Sequence, residues 1–471
     1  MYKISHQNKS KIQAKILESL NQTLKQTRVI KFIKKNIKIK KNSIQVANDK
    51  IDLNKGDLYI AGWGKLSVYL AKAFIKIVDI HKIKRGFFIS NNIDKISNKI
   101  KILEGTHPYP TLKTYRASLQ MLKFLSLVKA NDYIIFLISG GGSSIFSIPH
   151  KKVSIQEKII ISKKLIAGGI EPKLINNIRK FSSQIKGGKL LNEIKAKRIF
   201  NILVSDENQN LMHSLASGCT VLQRWNFKKI HKELKNLSKK NLLNERLFKK
   251  INLLVDENQS YQKKNKFIEK IYYTDNSKEI ENIVLSQRKI NKDQVIKSKI
   301  ILGNSKFKKL VTNNLEIKTH KKVFLNKEFL YGNYEKNKKK IISKIDSIKK
   351  NEFFLVYGLQ VEIDLKKKLK KIKGGRIQHL CLDLSLNLKR KNFNDFVVSG
   401  FASDGDDFLK NIGGATISKK LINKYSEKKI LKYLQSYRSY NFHEKANTLV
   451  HTRKPTESNI MDILVLFVRK N

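Results

Sequence analysis

Residues 134–144 read IIFLISGGGSS, an apolar run that ends in three glycines and two serines. The apolar part is too short for a helix that must bury itself, but it suits a central strand of a parallel sheet, apolar on both faces. The glycines leave backbone N–H groups bare and let a ligand approach closely, and the serines add hydroxyl donors. A strand ending in such a turn is where doubly wound α/β proteins bind phosphates and carboxylates. The candidate binding residues are Gly140, Gly141, Gly142, Ser143 and Ser144. An ordinary tight turn is the alternative.

Strand-like and helix-like segments alternate on both sides of this stretch. LYIAGWGK at 58–65 reads as a strand entering a glycine turn, and an apolar-periodic helix follows at 67–78. RGFFIS at 85–90 and RIFNILVSD at 198–206 read as further strands, with a helix at 114–128. This alternation predicts the α/β class, with a Rossmann-like, mostly parallel sheet in the first domain.

The rest of the chain suggests a second α/β domain. Glycine disappears and charge rises between about 226 and 295, which predicts a polar helical connection rather than a site. Strand-like segments resume from residue 299 and continue to DILVLFV at 462–468. We therefore expect an N-terminal domain over 1–225 with a helical lead-in, a connection over 226–295 and a C-terminal domain over 296–471.

Composition limits the function classes. The chain has 471 residues and a formal charge of +59, mostly from lysine. The lysines are spread along the chain without stacking aromatics or zinc-finger spacing, so we expect no specific nucleic-acid partner. No apolar run approaches the ~18 residues that span a membrane, and the start lacks the apolar core of a secretory signal. Two cysteines, Cys219 and Cys381, cannot build a disulfide framework or a zinc site. A cytoplasmic protein is expected.

Two segments of the first domain could bind an anion. Lys65 follows Gly64 at a strand-to-helix turn, where a cation would face a bound anion, although the dinucleotide and P-loop fingerprints are both incomplete. IRKFSSQIKGGKL at 178–190 sets cations beside a Gly-Gly turn, which suits a carboxylate or a polyphosphate. Its candidate residues are Arg179, Lys186, Gly187 and Gly188. An exposed basic helix with a glycine cap is the alternative.

The second domain also contains candidate site residues beside glycine turns. KGGRIQH at 373–379 sets Arg376 directly after two glycines, and GFASDGDD at 400–407 sets Asp404 and Asp407 after a strand. Such carboxylates could hold Mg²⁺ or act as a base on a substrate hydroxyl. Asp-Gly is also a common turn pair, so this motif alone is weak.

Taken in order, these motifs resemble the glycerate 2-kinase family, some of whose members are labelled hydroxypyruvate reductases. The resemblance rests on GK at 64–65, HPYP at 107–110, SGGGS at 139–143, IRKFSSQIKGGKL at 178–190, SD at 205–206, GGR at 374–376 and SDGDD at 403–407. It extends from about residue 58 to 468. It implies ATP- and Mg²⁺-dependent phosphorylation of D-glycerate at O2, in a cleft between two α/β domains.

The resemblance also implies roles for single residues. Lys65 and Arg376 stand where the family has its catalytic cations. Asp206 belongs to the family's Ser-Asp motif after a strand, and we expect it to bind the substrate or its phosphate. We expect Asp404 to act in catalysis, and Asp404 and Asp407 to bind the metal. The expected partners are a small anionic substrate and a nucleotide.

Several family residues are replaced. The acidic Gly-Asp-Asp after Ser205-Asp206 becomes Gln209, Asn210 and Leu211, and the last glycine-rich loop reads RKPTESN at 453–459. Two alternatives to a glycerate kinase therefore stay open. One is a hydroxypyruvate reductase, and the other is a catalytically impaired homologue that only binds an anionic ligand.

Overall fold

The computed structural model describes residues 4–5, 10–46, 49–168, 170, 172–206, 211–264, 266–274, 277–286, 294–363, 372–452 and 456–471. The strands are β1 (Ile4–Ser5), β2 (Ile37–Lys40), β3 (Ser43–Val46), β4 (Asp49–Asp52), β5 (Leu58–Trp63), β6 (Arg85–Ser90), β7 (Ile100–Glu104), β8 (Tyr133–Ser139), β9 (Arg198–Val204), β10 (Lys266–Thr274), β11 (Ser277–Ser286), β12 (Val295–Leu302), β13 (Val323–Asn333), β14 (Glu352–Glu362), β15 (Asp395–Ala402), β16 (Ile412–Ser418), β17 (Leu449–Thr452) and β18 (Asp462–Arg469). The helices are α1 (Lys11–Gln26), α2 (Val29–Asn36), α3 (Ser67–Ile75), α4 (Leu112–Leu125), α5 (Gly142–Ile145), α6 (Ile155–Ala167), α7 (Pro172–Phe181), α8 (Phe227–Ser238), α9 (Glu245–Lys264), α10 (Asn304–Thr319), α11 (Tyr334–Ser347), α12 (Arg376–Arg390), α13 (Lys419–Ile422), α14 (Glu427–Gln435) and α15 (Ser439–Lys445).

The chain forms two compact units. The N-terminal unit comprises residues 29–301, and the C-terminal unit comprises residues 1–28 together with 302–471. Each unit contains its own sheet with helices packed against it, so the expected α/β class with two α/β domains is confirmed.

The N-terminal unit is built on an eight-stranded sheet in the order β10-β11-β12-β9-β8-β5-β6-β7. β7, β6, β5, β8 and β9 run parallel, whereas β10, β11 and β12 pair antiparallel. Every residue of β5 and β8 is buried, as their unbroken apolar sequences predict for central strands. Because these strands are parallel neighbours, the turns after Trp63 and Ser139 meet at one edge of the sheet.

The C-terminal unit contains a seven-stranded sheet in the order β1-β17-β16-β15-β18-β14-β13. Only the β13–β14 pair is parallel among the strand pairs of this sheet; the others run antiparallel. Helix α12 covers the central strands and buries one apolar face against β15 and β16. The segments after β15 and before β18 are thereby brought beside the first turn of α12.

Helix α1 packs in the C-terminal unit although it lies at the other end of the sequence. Ser10 and Gln13 form a capping box at its start, and Ile16, Leu20 and Leu24 form a buried stripe at helical spacing. That stripe lies against α10. The sequence analysis included residues 1–28 in the N-terminal domain as part of its helical lead-in, because an amphipathic helix does not reveal in its own sequence which surface it covers.

The segment 226–295 also differs from a simple polar connection. Helices α8 and α9 bury Ile230, Leu234 and Ile251 in a cluster with α6 and α7, inside the N-terminal unit. The hairpin β10–β11 then extends the main sheet. The charged residues of α8 and α9 lie on the outer faces of helices whose other faces are buried.

Within the described residues, no helix has the length and apolar character needed to cross a membrane.

Replacing Leu20 by alanine tests the place of α1 in the core. Leu20 is 1% exposed, so Leu20→Ala should lower the free energy of unfolding by about 2–5 kcal/mol through lost burial and a residual cavity. Lys25 lies on the exposed face of the same helix, so Lys25→Ala is the matched control and should change stability little. Urea denaturation followed by circular dichroism measures both. A Leu20→Ala cost no larger than that of Lys25→Ala would show that α1 is not part of the core.

Candidate functional site

The glycine turn after β8 is fixed by hydrogen bonds from the turn after β5. The Lys65 N–H donates to the Gly140 carbonyl at 2.9 Å, and the Leu66 N–H donates to Ser139 Oγ at 2.8 Å. Gly141 has a φ of 77°, in the left-handed region that favours glycine, and α5 begins at the next residue. The two glycine motifs of the first domain therefore form one structure, as their positions after neighbouring parallel strands predict.

Side chains crowd this turn so closely that two of its residues must be glycine. A Cβ on Gly140 would lie 1.8 Å from a carboxylate oxygen of Asp206. A Cβ on Gly141 would lie 2.9 Å from Cγ of Lys65 and 3.0 Å from Cδ2 of His107. The predicted residues Lys65 and Asp206 are thus brought against the glycine turn.

Lys186, of the second predicted segment, contacts the same turn. Its ammonium group donates to the carbonyl oxygen of Ser143 and lies 3.3 Å from Ser143 Oγ. The Ser217 hydroxyl donates to Ser143 Oγ at 2.9 Å. The N–H groups of Gly187 and Gly188 donate to the carbonyls of Ser217 and Gly218 at 3.0 and 2.8 Å. The Gly-Gly turn thus braces residues 217–218, and both segments hold Ser143 in place.

These elements enclose a cavity of about 170 Å³. It is lined by His107, Pro108, Tyr109, Pro110, Gly141, Ser143, Ser144, Ser147, Lys158, Ser162, Arg179 and Lys186. Five of these were predicted site residues: Gly141, Ser143, Ser144, Arg179 and Lys186. The sequence analysis missed Ser147, which follows the glycine motif closely, and Lys158 and Ser162, which lie on α6. None of the described residues that line the cavity carries a carboxylate, so its character is cationic and hydroxylic.

Burial weakens the charge of the lysines that line the cavity. Desolvation, with Arg179 and Lys180 nearby, lowers the pKa of Lys186 to about 7. Desolvation and the neighbouring cations Lys186, Lys189 and Arg179 hold the pKa of Lys158 well below its usual range. An anion in the cavity would favour the protonated amines, so anion binding and proton uptake are linked here.

The nearby imidazole of His107 is neutral at physiological pH. Burial lowers its pKa to about 4, and Lys65 and Arg179 act in the same direction. The ring can therefore accept a hydrogen bond from a ligand hydroxyl while adding no positive charge to the cavity.

In the C-terminal unit, Arg376 is the first residue of α12, and its Nε donates to the Asp462 carboxylate at 2.6 Å. Burial would lower the pKa of this guanidinium, but Asp462, Asp407 and Asp404 together raise it. Because Asp462 is almost fully buried, the ion pair holds Arg376 in one orientation while its side chain stays partly exposed. Arg376 is thus a fixed, permanently charged donor.

Asp407 stabilises the start of the same helix. Its two carboxylate oxygens accept hydrogen bonds from the N–H groups of Ile377 and Gln378, at 3.2 and 2.8 Å. A Cβ on Gly375 would meet this carboxylate at 2.0 Å, which explains the glycine before Arg376. Burial raises the pKa of Asp407 to about 7, against the opposing effect of the backbone hydrogen bonds. Asp407 therefore has a structural role in positioning α12.

The predicted metal ligands do not belong to a dense acidic cluster. Within the described ranges, no three His, Cys, Asp or Glu side chains converge as a group that could hold a metal. Asp404 accepts a 3.3 Å hydrogen bond from the Asp406 N–H in the turn after β15. A metal role for Asp404 and Asp407 stays a prediction. Gln209, Asn210 and residues 453–455, where the sequence departs from the family motifs, lie outside the described residues.

The lysines that line the cavity should make anion binding depend on pH. Sulfate, which stays a dianion from about pH 6 to about pH 9, should bind most tightly below pH 7 and weaken about tenfold as Lys186 loses its proton. Lys186→Met should bind sulfate weakly, with a flatter pH dependence. Lys164→Met removes an exposed lysine of α6 and should behave like the unchanged chain. Isothermal calorimetry measures the affinities, and an affinity that rises with pH would contradict the assignment.

The close approach of Asp206 to Gly140 can be tested through the stability of variants at the two positions. Gly140→Ala should destabilise the protein by about 1–3 kcal/mol, because its Cβ would overlap the Asp206 carboxylate. Gly140→Ala combined with Asp206→Ala should recover much of that loss, since the second change removes the overlapping atoms. Thermal unfolding of the two single variants and the double variant measures this coupling. Strict additivity of the two losses would show that the two residues are not in contact.

The chain matches two family models. Residues 15–252 match the model described as Domain of unknown function (DUF4147), and residues 353–462 match the MOFRL family. The two matches together cover the glycine turn and cavity of the N-terminal unit, and Arg376, Asp404 and Asp407 of the C-terminal unit.

Similar proteins agree with these matches. A glycerate 2-kinase of Picrophilus torridus is 26% identical over 430 residues, 90% of this chain and 90% of that protein. A glycerate 2-kinase of Pyrococcus horikoshii is 32% identical over 187 residues, 38% of this chain and 42% of that protein. The crystal structure of a glycerate kinase from Thermotoga maritima has the same fold, with a TM-score of 0.68 over 96% of this chain and 98% of that chain, at 20% identity. With one model covering half of the sequence, this chain belongs to the glycerate 2-kinase family, as a divergent member with DUF4147 and MOFRL domains.

Proposed function

We propose that this protein is an ATP-dependent kinase that phosphorylates a small hydroxy acid, D-glycerate at O2. The observation that carries the proposal is the glycine turn after β8, with Lys65, Arg179 and Lys186 around it and a cavity free of carboxylates among its described lining residues. Such a site suits a small anion, and the relatives named glycerate 2-kinase act on one.

The cavity accounts for recognition of the acid. Arg179 can donate two parallel hydrogen bonds to the substrate carboxylate, and Lys186 adds a charged donor when it is protonated. Ser143 and Ser144 offer hydroxyls to the hydroxyl groups of the acid. A volume of about 170 Å³ suits an acid of three or four carbons.

In this proposal, Lys65 and Arg376 stabilise the transferring phosphoryl group. Phosphoryl transfer needs positioned positive charge more than covalent participation by the protein. Lys65 sits on the turn that contacts Gly140, and Arg376 is held rigid by Asp462. Both cations are therefore set on structured turns before the substrates bind.

Mg²⁺ would neutralise charge on the phosphates of ATP. Mg²⁺ in kinases is bound mainly by those phosphates and water, with one or two protein carboxylates. Asp404, in the turn after β15, fits this limited requirement, whereas Asp407 is engaged at the start of α12. The metal and the nucleotide remain parts of the proposal, as does a cytoplasmic location.

An ADP-release assay with D-glycerate and Mg-ATP tests the function. We expect activity in the unchanged chain and a loss of at least about 10²-fold in Lys65→Ala and in Arg376→Ala, since each removes a cation from the transition state. Lys76→Ala removes an exposed lysine at the end of the helix that follows Lys65 and is the matched control. A chain that binds D-glycerate without releasing ADP would contradict the kinase and favour a homologue that only binds an anion. Oxidation of NADH with hydroxypyruvate would instead favour the reductase.

A further inference from the structure

Three lysines of the N-terminal unit are buried beside one another. Lys158, Lys186 and Lys189 are 3%, 1% and 9% exposed; Lys186 and Lys189 lower the pKa of Lys158, and Lys186 lowers the pKa of Lys189. A buried ammonium group is costly unless several acceptors surround it. The number of acceptors therefore decides which of the three most readily gives up its proton.

Lys158 has the weakest set of acceptors. Its Nζ donates to the Ser182 carbonyl at 3.1 Å. Lys186 donates to two oxygens of Ser143, and Lys189 donates to the Lys180 carbonyl and to Asn258 Oδ1.

The charged groups that face Lys158 are cations. They are Lys186, Lys189 and Arg179. The thiol of Cys219 also faces Lys158, and because burial raises the pKa of that thiol to about 12, it carries no charge at neutral pH. Glu157, its neighbour in sequence, pairs with Lys250 on another face of α6, and Glu257 pairs with Lys152. Desolvation and these cations hold the pKa of Lys158 well below its usual range. The cluster thus places on the wall of the cavity a buried primary amine that gives up its proton more readily than an exposed lysine does.

We propose that Lys158 is a covalent binding site for small 2-oxo acids, which it holds as a reversible imine. A lysine desolvated and set beside another cation is the arrangement that makes an amine nucleophilic at neutral pH. Arg179 and Lys186, on the same cavity wall, supply the positive charge that the carboxylate of such an acid needs. A cavity of about 150 Å³ admits benzene, which has as many non-hydrogen atoms as pyruvate, so about 170 Å³ suits an acid of this size.

The reaction balances without an oxidant or a reductant. The Nζ lone pair of Lys158 attacks the carbonyl carbon of the 2-oxo acid and forms a C–N bond, while the carbonyl oxygen takes up a proton. The nitrogen gives up its two protons over the reaction and the oxygen takes up a second one, so the C–O bond breaks, water leaves, and amine and ketone become imine and water. Ser162, one turn further along α6 and on the same cavity wall, is placed to relay these protons.

Trapping with a mild reductant tests the proposal. The full-length protein is incubated at neutral pH with pyruvate and sodium cyanoborohydride, which converts an imine into a stable secondary amine, and is then digested and mapped by mass spectrometry. We expect one reduced pyruvate adduct per chain, on the peptide that contains Lys158. Lactate, which lacks the carbonyl group, should leave no adduct, and sulfate should protect Lys158 by occupying the cavity.

Two variants test whether the adduct needs the amine of Lys158 or only its positive charge. Lys158→Arg keeps the positive charge but cannot form this imine, so the adduct should be lost, whereas Lys164→Arg, at an exposed position of the same helix, should keep it. Adducts spread over exposed lysines with Lys158 unmodified would overturn the proposal, as would equal labelling of Lys158→Arg and the unchanged chain. The mapping of the unchanged chain stands even if a variant folds poorly. Trapping needs no nucleotide, so its failure and a failure of the kinase assay are independent results.

Discussion

The contact between Lys186 and Ser143 links the parts of the N-terminal site. Through it the Gly-Gly turn that follows α7 bonds to the glycine turn that follows β8, and Ser217 joins the same hydroxyl from a third segment. The turn after β5 bonds to the other side of the glycine turn through Lys65 and Gly140. These four segments are far apart in sequence, so the shape of the cavity depends on a few buried hydrogen bonds rather than on any one motif.

This arrangement opposes stability in the unliganded protein. Buried cations near one another repel, and leaving water costs each of them free energy. The described cavity wall contains Lys158, Lys186 and Arg179 and no carboxylate to neutralise them. The protein relieves part of the cost by lowering the pKa of the two lysines, and an anionic ligand would relieve the rest. Positions that cost stability and gain from a ligand are typical of functional sites.

The sequence was most informative where function requires a backbone conformation. The need for glycine at Gly140 and Gly141 was predictable, because close approach and positive φ demand glycine, and glycine is visible in sequence. Unbroken apolar strands such as β8 predicted the α/β class, because a central strand of a parallel sheet is buried on both faces.

Other features depend on tertiary packing, which a local pattern does not specify. The place of α1 against α10 is one example, and the capping role of Asp407 is another. A weak signal for Lys158 was present, since it lies at helical spacing within a buried stripe of α6 formed with Ile155, Ser162 and Leu165. A lysine within an apolar stripe is informative even in a lysine-rich chain, because most lysines avoid such positions.

The overall charge of the chain and the charge at the site act on a ligand in different ways. The formal charge of +59 lies largely on exposed lysines, whose field is screened beyond about 8 Å at physiological ionic strength. The cavity lysines are buried and Arg179 is partly buried, so salt screens them less and their effect on a ligand within hydrogen-bond distance persists. The surface charge can speed the approach of anions, but it cannot distinguish one anion from another. Discrimination must come from the guanidinium of Arg179, the serine hydroxyls and the volume of the cavity, which are properties of the fold rather than of the composition.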